Sequence, residues 1–231
     1  MIQISEDKLK QIVDWCTIPD YDAIRLQEKS VGKIGPQNVH NSKGQASWDT
    51  IYNNIVNNCD NHDLLAVKIS RGNIWEAIGI YDEGVEELFL VFRLPNLKKI
   101  MKSPYNCHYA PLANVGNGML KPKQMELIDD SLYDSEIVIE YERLSEELFE
   151  KMGIRPKKVI LCGFTLYQFK AYLYNKSQQL VWEDNYSRMI DTQYENLGGE
   201  QSLSNSVIKD NKKYKIKTKK PKSRIKGLKK I

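Results

Sequence analysis

His108 is the side chain in this sequence with the clearest potential for proton chemistry. It lies between Cys107 and Tyr109 in residues 103–123, an irregular segment rich in Pro, Gly and Asn. The sequence has three histidines, and histidine is the side chain whose ordinary pKa allows proton transfer near neutral pH. His108 is therefore our candidate general base. The alternative is a structural histidine that hydrogen-bonds the backbone of its loop.

A metal site is the second chemistry that the sequence could support. Cys59-x-x-His62 has the spacing of a ligand pair, and Cys107-His108 could supply a partner. A structural zinc site normally uses two compact pairs, and an adjacent Cys-His is a poor one. Cys59 also belongs to an apolar helical stripe. We therefore predict no metal and no cofactor, and we expect reduced cysteines.

Nuclease chemistry finds little support in the residue order. Gly79-Ile80-Tyr81 matches half of a GIY-YIG signature, but no YIG follows at a short distance. The run VEELFLVFR lacks the ExK pattern of another nuclease class. A metal-dependent nuclease needs carboxylates that converge on one point. We predict instead that Glu83, Glu86 and Glu87 are solvated charges of a turn and a sheet edge.

The charge of the chain is concentrated at its C-terminal end. Residues 209–231 hold twelve basic residues and one acid, a net of +11, whereas the rest holds 22 basic and 29 acidic residues, a net of −7. Lysines at this density release counterions from phosphates. The predicted phosphate contacts are Lys212, Lys213, Lys215, Lys217, Lys219, Lys220, Lys222 and Arg224.

Other functions of this basic tail stay open. It could solubilise the protein or fold back on the acidic body. Anionic lipid is a third possibility, but Ile216, Ile225 and Leu228 make only a thin apolar face. We expect DNA or RNA as the partner of the tail, and no membrane.

Aromatic residues are dense just before the tail. They could stack nucleic-acid bases or fill the core of a two-sided sheet. The set is Tyr167, Phe169, Tyr172, Tyr174, Trp182 and Tyr186.

The hydrophobic pattern predicts an α+β fold, with a β-meander and a C-terminal hairpin that form a largely antiparallel sheet and with helices packed on one face. Helices are predicted at 5–16, at 48–59 and at the end of 136–152. Strands are predicted within 64–93, at 157–164 and within 168–186. Residues 136–142 fit a strand or a helix equally well, and residues 28–46 read as a long loop.

The layout predicts one domain over residues 1–208, with a possible subdomain split near residue 120, followed by a flexible basic tail. Hydrophobic residues make up 41% and charged residues 28%, which is ordinary for a globular protein. The N-terminus shows no basic region followed by an apolar run, so we expect a cytoplasmic protein without a signal peptide.

The middle of the chain contains a pattern made of Trp75, the run Leu88-Phe89-Leu90 that leads to Arg93, His108-Tyr109, Leu112 and Asn117. This pattern resembles one in a family of uncharacterised proteins from low-GC Gram-positive bacteria and their phages. The resemblance covers roughly residues 64–185. It implies no activity, but it implies that Arg93, His108, Tyr109 and Asn117 form the shared site if the family has one.

Three functions remain open from the sequence. The first is a non-catalytic, nucleic-acid-associated protein that holds phosphates through its tail. The second is an enzyme of phage–host conflict, nuclease- or transferase-like, that uses His108 with Arg93 and Tyr109 in a cleft beside the meander. The third is a protein-binding inhibitor or adaptor with an acidic body.

Overall fold

The computed structural model describes residues 2–18, 21–30, 43–71, 75–102, 108–123 and 135–191. Within these ranges the chain forms six α-helices and six strands. The helices are α1 (Glu6–Thr17), α2 (Tyr21–Ser30), α3 (Lys43–Asn58), α4 (Leu94–Met101), α5 (Tyr109–Asn114) and α6 (Ser135–Met152). The strands are β1 (Leu65–Arg71), β2 (Trp75–Asp82), β3 (Glu87–Arg93), β4 (Lys158–Phe164), β5 (Phe169–Tyr174) and β6 (Leu180–Asn185).

All six strands form one sheet in the order β1-β2-β3-β4-β5-β6. Strands β1–β3 form one antiparallel meander and β4–β6 form another. The two meanders meet at β3 and β4, which are parallel. A parallel pair needs a long crossover, and residues 94–157 provide it with α4, α5 and α6. The predicted α+β class, meander and C-terminal hairpin are confirmed.

Helices cover both faces of the sheet rather than one. In β3, Phe89 and Val91 pack in a core with α1 and α3, whereas Leu88, Leu90 and Phe92 pack in a second core with α4, α5 and α6. Successive side chains of a strand point to opposite faces. Because five successive residues of β3 are apolar, both of its faces need a cover.

Several segments are more helical than the sequence predicts. Residues 135–152 form one continuous helix, which settles 136–142 in favour of the helix. Helix α2 and the first turn of α3 fall within or beside the predicted loop 28–46. The irregular segment 103–123 contains α5.

Two predictions concern residues outside the described ranges. These are the basic tail, residues 209–231, and the domain boundary at residue 208. The sheet takes strands from both sides of residue 120, and the described residues belong to one compact unit within Met1–Thr192. None of the helices in the described ranges is both long and apolar enough to cross a membrane.

Candidate functional site

The residues that the sequence groups into one site lie on two sides of the sheet. Arg93 ends β3 and continues the alternation of Phe89 and Val91, so it faces α3. Tyr109 packs on the opposite side, where its ring stacks on Phe92 at 5.4 Å between centroids. The ring of His108 lies 6.0 Å from that of Phe92. The structure therefore does not gather Arg93, His108 and Tyr109 into one cleft.

His108 begins α5. Its backbone is extended, and its Nδ1 accepts a hydrogen bond from the backbone N–H of Ala110 at 3.1 Å. A side chain that accepts from the first turn is an N-cap, because it satisfies a donor that the helix leaves unpaired. The ring also stacks on Tyr109 at 4.5 Å. These contacts favour the structural reading of His108.

We expect His108→Ala to lower the free energy of unfolding by about 1 kcal/mol, because α5 loses its cap. His108→Asn should recover most of that loss, since asparagine also caps helices. Urea unfolding of the two variants and the wild type measures both effects. Equal losses in both variants would contradict a capping role.

Asn117 joins the strands β4 and β5. Its side-chain amide donates to the backbone oxygens of Val159 at 3.0 Å and Tyr174 at 2.7 Å, and its Oδ1 accepts from the N–H of Val159 at 2.6 Å. Both the nitrogen and the oxygen of the amide are thus hydrogen-bonded to backbone groups. The place of Asn117 in the resemblance is explained by this structural role.

Arg93 is the predicted site residue whose surroundings suit a ligand. Its Nη2 donates to Ser47 Oγ at 2.8 Å. Its guanidinium carbon lies 4.6 Å from the ring centroid of Phe164 and 5.5 Å from that of Trp48. The two rings meet edge to face at 5.7 Å. We call Ser47, Trp48, Arg93 and Phe164 the Arg93 cluster.

The charge of Arg93 has no carboxylate partner within the described part of the chain. Other half-buried cations do: Lys8 pairs with Asp82 at 3.0 Å, and Lys158 pairs with Glu87 at 3.1 Å. Partial burial lowers the pKa of Arg93, because desolvation disfavours the charged form. An arginine nevertheless stays protonated in proteins. The Arg93 cluster is therefore a cationic spot that can accept an anion.

The Arg93 cluster lies at the end of the two central parallel strands. Arg93 is the last residue of β3 and pairs with Phe164, the last residue of β4. Ser47 and Trp48 come from α3, which packs across this face. The sequence predicts Ser47 as the cap of a helix and Trp48 as part of its apolar stripe, but the helix begins at Lys43 and contains both residues. Neither of them, nor Phe164, was predicted to belong to a site. Only the fold brings these residues to Arg93.

Most of the aromatic set before the tail fills the core. Phe169 and Tyr172 are buried, and Tyr174, Trp182 and Tyr186 are half-buried. Tyr167 is the exception, with 76% of its surface exposed in the turn between β4 and β5. A stacking platform made of the whole hairpin is therefore not what the structure presents. A single ring, Tyr167, is available for stacking.

Tyr174 makes the stability of the fold sensitive to alkaline pH. Burial, with smaller contributions from Tyr172 and Glu183, raises the pKa of its phenol to about 12. The folded state therefore favours the protonated phenol, and the stability this provides is lost as pH rises from the ordinary value of 10.0 toward 12. At about pH 11 this loss amounts to about 1 kcal/mol in the free energy of unfolding, and we expect Tyr174→Phe to abolish it. Urea unfolding across pH measures it, and parallel curves for variant and wild type would contradict it.

The metal hypothesis gains no support. The described residues contain no cluster of three or more His, Cys, Asp or Glu side chains that could hold a metal. His62 packs against Trp15 at 5.6 Å, and Cys59 is buried in the core. Burial raises the pKa of Cys16, Cys59 and Cys162, so these thiols are poor nucleophiles. Cys107 lies outside the described residues.

An open depression of about 410 Å³ lies near the other end of the central strands. Its polar walls include Lys8, Asp60, Asp63 and Glu83. Lys8 is already engaged by Asp82 and by the backbone oxygen of Asp63. The depression therefore has no unpaired cation comparable with Arg93, and the Arg93 cluster remains the candidate site.

Comparison with known proteins places the chain in a family. No curated protein and no solved structure gives a significant match. One family model matches residues 3–230, which includes nearly all of the basic tail. The chain therefore belongs to DUF5986, a family of unknown function.

Proposed function

We propose that the protein associates with nucleic acid and does not transform it chemically. The observation that carries this proposal is the separation of charge, with +11 on residues 209–231 and −7 on the remainder. The family match extends to residue 230, so the basic tail belongs to the matched region. Polyanion binding explains why so many lysines follow an acidic body.

The tail supplies affinity rather than sequence recognition. Each lysine that neutralises a phosphate releases condensed counterions, whatever base is attached. The rest of the chain, in contrast, has a net charge of −7 and repels a polyanion overall. Contacts from the body are therefore limited to local cationic spots, of which the Arg93 cluster is one.

The enzyme that uses His108 with Arg93 and Tyr109 has less support. His108 Nδ1 accepts from the backbone of α5, and Arg93 faces the other side of the sheet. A general base and an electrostatic partner must reach the same reacting group. Because these residues do not share a cleft, we favour the non-catalytic function.

The setting that fits this function is the cytoplasm of a low-GC bacterium or its phage. Lysine outnumbers arginine 27 to 7, and the chain has 17 asparagines. Both biases are typical of AT-rich coding sequence. This bias raises the lysine content of the whole chain. It does not explain why residues 209–231 hold only one acidic residue.

Neutralising the tail in the full-length chain tests the proposal. We expect binding to labelled single-stranded DNA, followed by fluorescence anisotropy at about 50 mM salt, to weaken by about a hundredfold or more. The variant carries glutamine at Lys212, Lys213, Lys215, Lys217, Lys219, Lys220, Lys222 and Arg224.

The matched control shuffles residues 209–231 and keeps their composition. Counterion release depends on charge density, so the shuffled tail should bind like the wild type. Equal affinity of the glutamine variant and the wild type would overturn the proposed role of the tail. If neither protein binds any nucleic acid, the protein-binding function becomes the one to pursue.

A further inference from the structure

We propose that the Arg93 cluster binds a backbone phosphate of single-stranded nucleic acid and that the ring of Tyr167 stacks a base of the same strand. This inference rests on the proposed function, because it assigns the part of the body that touches the bound strand. It adds a site on the folded body to the contacts of the tail. It also names the form of nucleic acid that the site takes.

The charge and the N–H donors of Arg93 suit a phosphate. A guanidinium has five N–H donors arranged to match phosphate oxygens. Ser47 Oγ is the one hydrogen-bond acceptor that Arg93 engages within the described residues. No described carboxylate neutralises it. A phosphate would supply both the missing acceptors and the missing negative charge.

The guanidinium of Arg93 is held in place by three neighbouring side chains. The rings of Phe164 and Trp48 lie 4.6 and 5.5 Å from its central carbon, within the range of cation–π contact. Ser47 fixes one nitrogen at 2.8 Å. A side chain held by two rings and a hydroxyl loses little freedom on binding, so it is pre-organised for an anion.

Tyr167 lies close in the chain to Phe164, a member of the Arg93 cluster. The turn that follows Phe164 is tight, because Thr165 N–H donates to the oxygen of Gln168 at 2.8 Å and Phe164 pairs with Phe169. Three Cα steps separate Phe164 from Tyr167, a span of at most about 11 Å. Successive phosphates of one stacked strand lie about 3.4 Å apart along the axis. The Cα atom of Tyr167 therefore lies within the length of a few nucleotides of Phe164, whose ring contacts the guanidinium of Arg93.

The exposure of Tyr167 favours a single strand over a duplex. Tyr167 is 76% exposed, and its neighbour Leu166 is 44% exposed. An exposed ring binds a base through its face, and base faces are available in single strands but covered in a duplex. One phosphate contact with one stacked base is the minimal unit of single-strand recognition.

The test compares Arg93→Gln with Arg143→Gln in the full-length protein, using labelled oligothymidylate as the probe. Both variants lose one positive charge, but Arg143 is an exposed arginine of α6 that already pairs with Glu140 and Glu147. We expect Arg93→Gln to weaken binding about tenfold and to reduce the salt slope by about 0.7, the value for one phosphate of a single strand. Arg143→Gln should change affinity less than twofold.

A second pair of variants tests the stacked base. Tyr167→Ala should weaken oligothymidylate binding about tenfold and leave duplex binding unchanged, whereas Tyr167→Phe should bind like the wild type. Because Tyr167 is exposed, neither change should unfold the protein. Arg93→Lys serves if Arg93→Gln does not fold: it keeps the charge, loses the planar fork, and should still weaken binding.

The outcomes separate this inference from the proposed function. Equal binding by Arg93→Gln, Arg143→Gln and the wild type, with a steep salt slope throughout, would overturn the phosphate site and leave nucleic-acid binding intact. Equal losses from Tyr167→Ala on single strand and duplex would overturn the stacking. If the wild type binds none of these probes, the proposed function itself fails.

Discussion

Replacing Asn117 with alanine is expected to lower the free energy of unfolding by about 3 to 4 kcal/mol. Its amide makes three hydrogen bonds with the backbone of Val159 and Tyr174. The β4–β5 ladder pairs Leu161 with Tyr172 and ends there. Continued in the same register, the ladder would pair Val159 with Tyr174. At this point the side chain of Asn117 hydrogen-bonds the backbone of both residues. Buried backbone groups left without partners cost about 1 to 3 kcal/mol each.

Two further variants make this prediction specific. Asn117→Asp should be at least as damaging as alanine, because a carboxylate would face the backbone oxygens of Val159 and Tyr174. Asn57→Ala is the matched control, since Asn57 is exposed on α3 and alanine favours a helix. Chemical unfolding measures all three variants. A loss below about 1 kcal/mol for Asn117→Ala would contradict the role of its side chain as a rung between strands.

Glu87→Ala is the second change with a large expected effect, a loss of about 3 to 5 kcal/mol. The prediction that Glu87 is a solvated edge charge is wrong, because it is fully buried. Its carboxylate accepts from the backbone N–H groups of Gln3 and Ile4 and pairs with Lys158. The change removes the carboxylate that pairs with the half-buried Lys158 and that accepts from the N–H groups of Gln3 and Ile4. The N-terminal segment also loses its attachment to β3.

Hydrogen exchange distinguishes this role from a general loss of stability. In the wild type the amides of Gln3 and Ile4 should be protected, and Glu87→Ala should abolish that protection before the core strands exchange. Glu83→Ala is the control, because Glu83 is an exposed glutamate close by. It should change stability by less than about 0.5 kcal/mol. Unchanged protection of Gln3 and Ile4 in Glu87→Ala would contradict the attachment.

The strands and most helices of the fold follow from local patterns that a single sequence contains. Short turns between apolar runs predict the meander of β1–β3 and the hairpin of β5 and β6, and Ser5 followed by Glu6 and Asp7 predicts the start of α1. The sequence also contains the signal that helices pack on both faces of the sheet. The runs LFLVF in β3 and VILCGF in β4 lack a polar alternation, which is typical of strands buried on both sides.

The candidate site could be predicted only in part. Arg93 was predicted as a site residue together with His108, but the structure does not place the two together, because the face on which α5 packs depends on the crossover. Ser47 is 46 residues from Arg93 in sequence, and no local pattern links them. The burial of Glu87 depends equally on a distant segment, since its partners Gln3 and Ile4 are more than 80 residues away.

The salt dependence of single-strand binding by the unmodified chain tests the central claim most directly. Anisotropy titrations between about 50 and 200 mM salt give the slope of the logarithm of the binding constant against the logarithm of salt concentration. Eight tail contacts predict a slope of about −6, or roughly three orders of magnitude in affinity over this range. Absence of binding at about 50 mM, or binding with a slope near zero, would contradict a nucleic-acid-associated function.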